Sequence, residues 1–172
     1  MIVSHNIPWK LRSIKIQRDL FFIENNKVYS GNLLHNTKKL FVTSPLFQKL
    51  HSIIVYDQVI PILWLSDSST NNILEINKNV VKKLNVSGDI LKNPQGFIYD
   101  KIKKIFYICD TNNHRICSLN QADGKVTTIV GGSSRKSGYK DGKGKDVLFN
   151  KPSGICFGKT NNFLYITDTG NH

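Results

Sequence analysis

The segment Tyr107-Ile-Cys-Asp-Thr-Asn-Asn-His114 returns as Tyr165-Ile-Thr-Asp-Thr-Gly-Asn-His172, fifty-eight residues later. Each copy has the same lead-in, Asn93-Pro-Gln-Gly-Phe-Ile-Tyr99 and Lys151-Pro-Ser-Gly-Ile-Cys-Phe157. Pro94 and Pro152, Gly96 and Gly154, Asp110 and Asp168, Asn113 and Asn171, and His114 and His172 all share one offset without a gap. A register held over that length means one supersecondary unit built more than once.

A weaker copy lies forty-three residues upstream, with Asp67 under Asp110, Trp64 under Tyr107, Ile73 under Ile116 and Tyr56 under Tyr99. Repeats of about 40 to 45 residues, written as short strands between polar turns, are the mark of four-stranded blades around an axis. The fifteen extra residues of the longer spacing fall between Gly131 and Asn150, a Gly-, Ser- and Lys-rich run that reads as a loop. An eroded copy begins near Leu20. The expected units are 1–45 (degenerate), 46–92, 93–149 and 150–172, the last cut through its middle.

One unit can be read in detail over residues 93–132. Pro94 cannot donate to a ladder and so suits the first position of a strand. Strand one runs from Gly96 to Tyr99, and Lys101 to Lys104 make a charged turn. Ile105 to Cys109 is a β-branched and aromatic run that fits a buried second strand. Asp110 to His114 is a turn, because Asp and Asn bond their own backbone and tolerate left-handed geometry. Arg115 to Leu119 forms strand three, with Arg115 placed to pair with Asp110 and stabilise the blade. Ala122 to Lys125 turns again at Gly124, and Val126 to Val130 is the outer strand.

The string Leu164-Tyr-Ile-Thr-Asp-Thr-Gly-Asn-His172, with Pro-x-Gly-Ile before it and Val126-Thr-Thr-Ile-Val-Gly-Gly132, resembles the NHL repeat. The resemblance is specific over 93–172, weaker over 46–92 and close to absent before 45. It implies an all-β fold, a β-propeller of NHL type. Such propellers close with several blades, and this length holds three to four four-stranded antiparallel ones, the last truncated. The chain is therefore expected to be an incomplete propeller, a fragment of a longer protein whose missing C-terminal sequence, or another chain, supplies the remaining blades.

The landmarks Pro94, Gly96, Asp110, Asn113, His114, Arg115, Pro152, Gly154, Asp168, Asn171 and His172 are expected to be structural. In the amidating-lyase relatives a zinc-binding His follows the strand-one Pro directly, whereas Gln95 and Ser153 stand there here. No metal, cofactor or catalytic residue is expected within this segment, although the full-length protein could be a propeller lyase or hydrolase whose active site lies elsewhere. Gly138 to Lys143 falls short of a phosphate loop, and lysines interleave Asp141 and Asp146 where a calcium loop would need neutral or acidic ligands.

Twenty-four basic residues against twelve acidic ones give a formal charge of +12, a balance that favours anionic partners. The lysines fall mostly in turns, where solvation alone accounts for them. Turns at equivalent positions of successive blades share a face, however, so their charges add. The expectation is a protein-interaction scaffold with a protein or peptide partner. The alternative is RNA on a basic face, as the resemblance allows, contacted by Arg135, Lys136, Lys140, Lys143 and Lys145 with Tyr139 as a stacking platform.

Three cysteines, Cys109, Cys117 and Cys156, an odd count, point to reduced thiols, although Cys109 and Cys117 flank one hairpin turn and could face each other. No apolar run reaches the length of a membrane span. Residues 1–23 interleave Lys10, Arg12, Lys15 and Arg18 with apolar residues and carry no signal-peptide pattern. These features lead to an intracellular, cytoplasmic expectation and leave the Asn85-Val-Ser87 sequon idle.

Overall fold

The computed structural model describes residues 20–32, 37–56, 61–132, 136–159 and 162–172. Four sheets follow one another along the chain. The first contains β1 (Leu20–Glu24), β2 (Lys27–Asn32) and β3 (Thr37–Val42). The second contains β4 (Leu50–Val55), β5 (Leu63–Asp67), β6 (Asn72–Asn77) and β7 (Val80–Lys83). In the third, β9 (Pro94–Asp100), β10 (Ile105–Asp110), β11 (Arg115–Asn120) and β12 (Lys125–Gly131) form an antiparallel meander. The two-residue β8 (Ser87–Gly88) adds in parallel to the outer edge of β12. β13 (Pro152–Phe157) and β14 (Leu164–Asp168) pair as the fourth sheet. Among the described residues no helix is long and apolar enough to cross a membrane.

The strands expected over 93–132 are all present. β10 runs one residue further than expected, so that Asp110 pairs with Arg115 at the mouth of the hairpin. The turn is a single 3-10 turn, Thr111–Asn113, closed by His114 at φ 53. Gly124 takes φ +70 in the next turn, where only a residue without Cβ passes the carbonyl of Asn85.

Side chains on a strand alternate between its two faces, and here both faces are buried. Leu63 and Leu65 of β5 join Phe21, Ile23, Val28, Leu74 and Ile76 in a core between the first and second sheets. Trp64, on the other face, joins Phe97, Phe106, Ile108 and Leu119 between the second and third. The five residues of β5 are buried throughout, which accounts for their unbroken apolar reading up to Ser66 and Asp67. On the far side of β10, Tyr107 meets Phe157 of the fourth sheet edge to face at 6.0 Å.

The register corrects one expectation about the cysteines. Cys109 lies opposite Ile116, and Cys117 lies opposite Ile108. Directly opposed residues share a face and neighbours along a strand do not, so Cys109 and Cys117 point to opposite sides of the sheet. Both are free and buried, and burial pushes each thiol up to about 12. Cys156 is exposed.

Gly96 marks a close approach of two sheets. A Cβ there would stand 2.4 Å from the carbonyl oxygen of Ser153 and 3.0 Å from the Cα of Gly154, both backbone atoms that cannot rotate away. Gly96→Ala should therefore force β9 and β13 apart and cost about 2–3 kcal/mol. The measurement is the urea midpoint, and a change equivalent to under about 0.5 kcal/mol would show that the two strands are not locked together.

Candidate functional site

In the second, third and fourth blades the repeated Asp ends a strand, β5, β10 or β14, and binds the backbone that leads into the strand before it. Asp110 Oδ1 accepts from the Lys92 N–H at 2.6 Å. Asp168 Oδ1 accepts from the Asn150 N–H at 2.7 Å. Asp67 Oδ2 accepts from the Gln48 and Lys49 N–H groups at 2.7 and 3.1 Å. Three carboxylates thus do the same task eighteen residues downstream of their donors.

The second carboxylate oxygen organises the turn. Asp110 Oδ2 accepts from Asn113 Nδ2 at 2.8 Å and from Arg115 Nε at 2.7 Å, and Asp168 Oδ2 accepts from Asn171 Nδ2 at 2.6 Å. Arg115 is buried, and all three of its guanidinium nitrogens donate. Nη1 donates to Asp89 Oδ2 at 3.1 Å and to Thr128 Oγ1 at 2.7 Å, and Nη2 donates to the Ile90 carbonyl at 3.0 Å. The hydroxyl of Thr128 is the main cause that holds the Asp89 carboxyl below its usual range; burial opposes it, and the nearby Arg115 guanidinium and the Thr128 N–H add to the lowering.

A second set of bonds joins one blade to the next. Ser66 Oγ donates to the Gln95 carbonyl at 2.6 Å, and Thr111 Oγ1 donates to the Pro152 carbonyl at 2.8 Å. Asn26 Oδ1 accepts from the Leu50 N–H at 3.1 Å, Asn71 Oδ1 from the Asn93 N–H at 2.7 Å, and His114 Nδ1 from the Lys151 N–H at 3.1 Å. All three acceptors have positive φ: 56°, 61° and 53°. Pro94 and Pro152 open β9 and β13 opposite Asp110 and Asp168, and Gly154 donates its N–H to Thr167 Oγ1 at 2.8 Å. His172, at φ 67, occupies the position equivalent to His114.

The innermost strands β4, β9 and β13 line an open cleft of about 280 Å³, bordered by His51, Ser52, Gly96, Phe97, Ser153 and Gly154 among others. Directly after Pro94 and Pro152 stand Gln95 and Ser153, an amide and a hydroxyl, and Ser52 borders the same cleft. Among the described residues no group of three or more His, Cys, Asp or Glu is placed to hold a metal ion.

The basic loop is more ordered than its composition suggests. The Gly138 N–H donates to the Phe149 carbonyl, and Lys140 and Leu148 exchange N–H bonds at 3.3 and 3.0 Å, so residues 138–149 form a small hairpin. A 3-10 turn, Gly144–Asp146, sits near its tip. Asn171 Nδ2 donates to the Gly138 carbonyl at 2.7 Å and tethers the hairpin to the fourth blade's turn. Lys136, Lys140, Lys143 and Lys145 are exposed, and Tyr139 is 80% exposed. Arg135 lies outside the described residues. The 3-10 turn Gly144–Asp146 packs against β12, so the hairpin leans over the third blade. Asp89 went unnoticed in the sequence, as did Asn26, Asn71 and the inter-blade role of His114, which was expected only to be structural. For the acceptors, the only available signal was the coincidence of Asn26, Asn71 and His114 ahead of each lead-in.

The NHL repeat model matches residues 149–172. Protein SUPPRESSOR OF QUENCHING 1, chloroplastic, of Arabidopsis thaliana is 35% identical over 80 residues, which cover 46% of this chain and 8% of that protein. NHL repeat-containing protein 2 of Bos taurus is 32% identical over 82 residues, 48% of this chain and 11% of that protein. The chain thus spans only about a tenth of the curated relatives it matches. Among solved structures, an auxiliary nutrient binding protein from Bacteroides ovatus superposes with a TM-score of 0.73 at 21% identity, covering 90% of this chain and 44% of the other. A streptogramin B lyase superposes at 0.67 with 18% identity, covering 95% of this chain and 48% of the other. At such identities the likeness shows the fold. Together with the repeated Asp-centred turns, these matches show a chain folded as β-propeller blades, with an NHL repeat at residues 149–172 and similarity to NHL repeat-containing proteins over about half of its length.

Proposed function

We propose that this run of blades is a non-catalytic, intracellular binding module whose partner is a protein or peptide with an acidic surface, met by the hairpin of residues 138–149 and by Lys136 just before it. One observation carries the reading. The side chains of Asp110, Thr111, Asn113, His114 and Arg115, and of Asp168 and Asn171, are spent on bonds within and between blades, whereas Lys136 stands exposed just before an ordered hairpin that exposes Tyr139, Lys140, Lys143 and Lys145. An exposed aromatic among lysines offers apolar contact area and charge at one place. The landmark residues act as the frame that presents it, and the buried, unpaired Cys109 and Cys117 suit a reducing compartment.

The test is fluorescence anisotropy with a labelled peptide rich in Glu, Asp and aromatic residues, set against a single-stranded RNA of equal charge. The peptide should bind, and joint replacement of Lys136, Lys140, Lys143 and Lys145 by Glu should weaken it at least tenfold. Unchanged binding by that variant overturns the reading. RNA binding that exceeds peptide binding and falls steeply with salt would favour the nucleic-acid alternative.

A further inference from the structure

The lead-in to the first strand of the second, third and fourth blades offers two consecutive backbone N–H groups. The first goes to the blade's own Asp, and the second goes to a side chain at the left-handed turn position of the preceding blade. The same clasp occurs three times, with Leu50, Asn93 and Lys151 as donors. The acceptor is the amide oxygen of Asn26 in the first, the amide oxygen of Asn71 in the second, and the ring nitrogen Nδ1 of His114 in the third. An amide oxygen accepts at every physiological pH. An imidazole nitrogen accepts only while it carries no proton.

We propose that His114 is a pH-sensitive latch between the third and fourth blades, closed while its imidazole is neutral and released when Nδ1 takes a proton. In the closed state the proton of the neutral ring sits on Nε2, leaving the Nδ1 lone pair for the Lys151 N–H. Protonation turns Nδ1 into a donor that opposes the Lys151 N–H, and the clasp opens. The charged neighbours act in both directions. Burial and the Lys151 ammonium disfavour the imidazolium and hold the His114 pKa below the ordinary 6.5, while Asp168 of β14 pulls the other way. Arg115, next along β11, has its charge committed to Asp110 and Asp89.

A His whose folded pKa is lowered binds protons more weakly in the folded chain than in the unfolded one. Its stabilising contribution is complete above about 6.5 and is lost as the pH falls from there through the lower folded value. The first two joints have no such dependence at the clasp, so acid loosens the third joint selectively.

The experiment is amide hydrogen exchange by NMR on the full chain, read as the protection of the Lys151 N–H relative to the Asn93 N–H. The Asn71 clasp serves as an internal reference because it does not titrate. Between pH 7.5 and pH 5 the ratio should fall about tenfold, as expected for one hydrogen bond. His114→Asn, which installs the acceptor type of the other two joints, should hold the ratio flat, and His114→Ala should keep it low at both pH values. Imidazole 15N shifts should place the proton on Nε2 at neutral pH. A flat ratio in the natural chain, a fall that persists in His114→Asn, or a proton on Nδ1 at neutral pH overturns the proposal.

Discussion

Asp110→Ala is expected to cost about 3–5 kcal/mol, a large fraction of the stability of an ordinary domain. The carboxylate is fully buried and holds the Lys92 N–H, Asn113 Nδ2 and Arg115 Nε. Its removal strands a guanidinium whose side chain is only 7% exposed, with Asp89 alone as an ionic partner. The dominant penalty is this uncompensated cation rather than the lost bonds. Arg115→Met in the Asp110→Ala background should therefore recover part of the loss, because it removes the orphaned charge and keeps the packing. Urea denaturation followed by circular dichroism gives the three stabilities. A single-variant cost under about 1 kcal/mol, or a double variant no better than the single, would show that the pair is not the keystone of the third blade. Asp67→Ala should be milder, since Asn72 stands where the third blade has Arg115 and no buried cation is left behind.

Trp64→Ala should cost a similar amount, about 3–5 kcal/mol, through a different mechanism. The indole is 1% exposed and fills the joint between the second and third blades. Its ring centroid lies 4.9 Å from that of Tyr56, 4.6 Å from Tyr99 and 4.8 Å from Phe106. Nε1 donates to Glu75 Oε2 at 3.1 Å, and the other oxygen of that carboxylate takes Lys82 at 3.0 Å. Truncation leaves a large cavity and an almost buried carboxylate with one partner fewer. Trp64→Phe keeps most of the packing and loses the donor, so it should cost less than half as much. Calorimetry is the suitable readout, because it does not depend on indole fluorescence. A Trp64→Ala variant that melts within a few degrees of the natural chain would mean that the two sheets do not share this core.

The parts legible in the sequence were those written as equal spacing within one blade. Pro94, Gly96 and Asp110 recur in register because one bulged hairpin and one carboxylate tie are built repeatedly, and the strands of residues 94–131 followed from apolar runs between Asp, Asn and Gly turns. The parts that escaped reading act between blades or on parity. The two residues of β8 are too few to carry a pattern, and their parallel partner lies almost forty residues away. The acceptor at the left-handed position changes from Asn to His, so similarity of function hides behind dissimilarity of residue type. Cys109 and Cys117 flank the same turn, and only the pairing of Cys109 with Ile116 reveals that they look in opposite directions. The basic hairpin was visible as composition, but its internal pairing was not, because Gly and Lys carry no strand signal.

The clasp at the start of each blade spans 22 residues from Asn71 to Asn93 and 37 from His114 to Lys151, yet donor and acceptor meet the same way in both. Placement of the incoming blade is thus decoupled from how far the chain wanders before arriving. Additions on that rim are cheap for the architecture, since lengthening a loop costs conformational entropy only logarithmically. A propeller of this kind can acquire new recognition elements there while its axis, tilt and inner strands stay as they were.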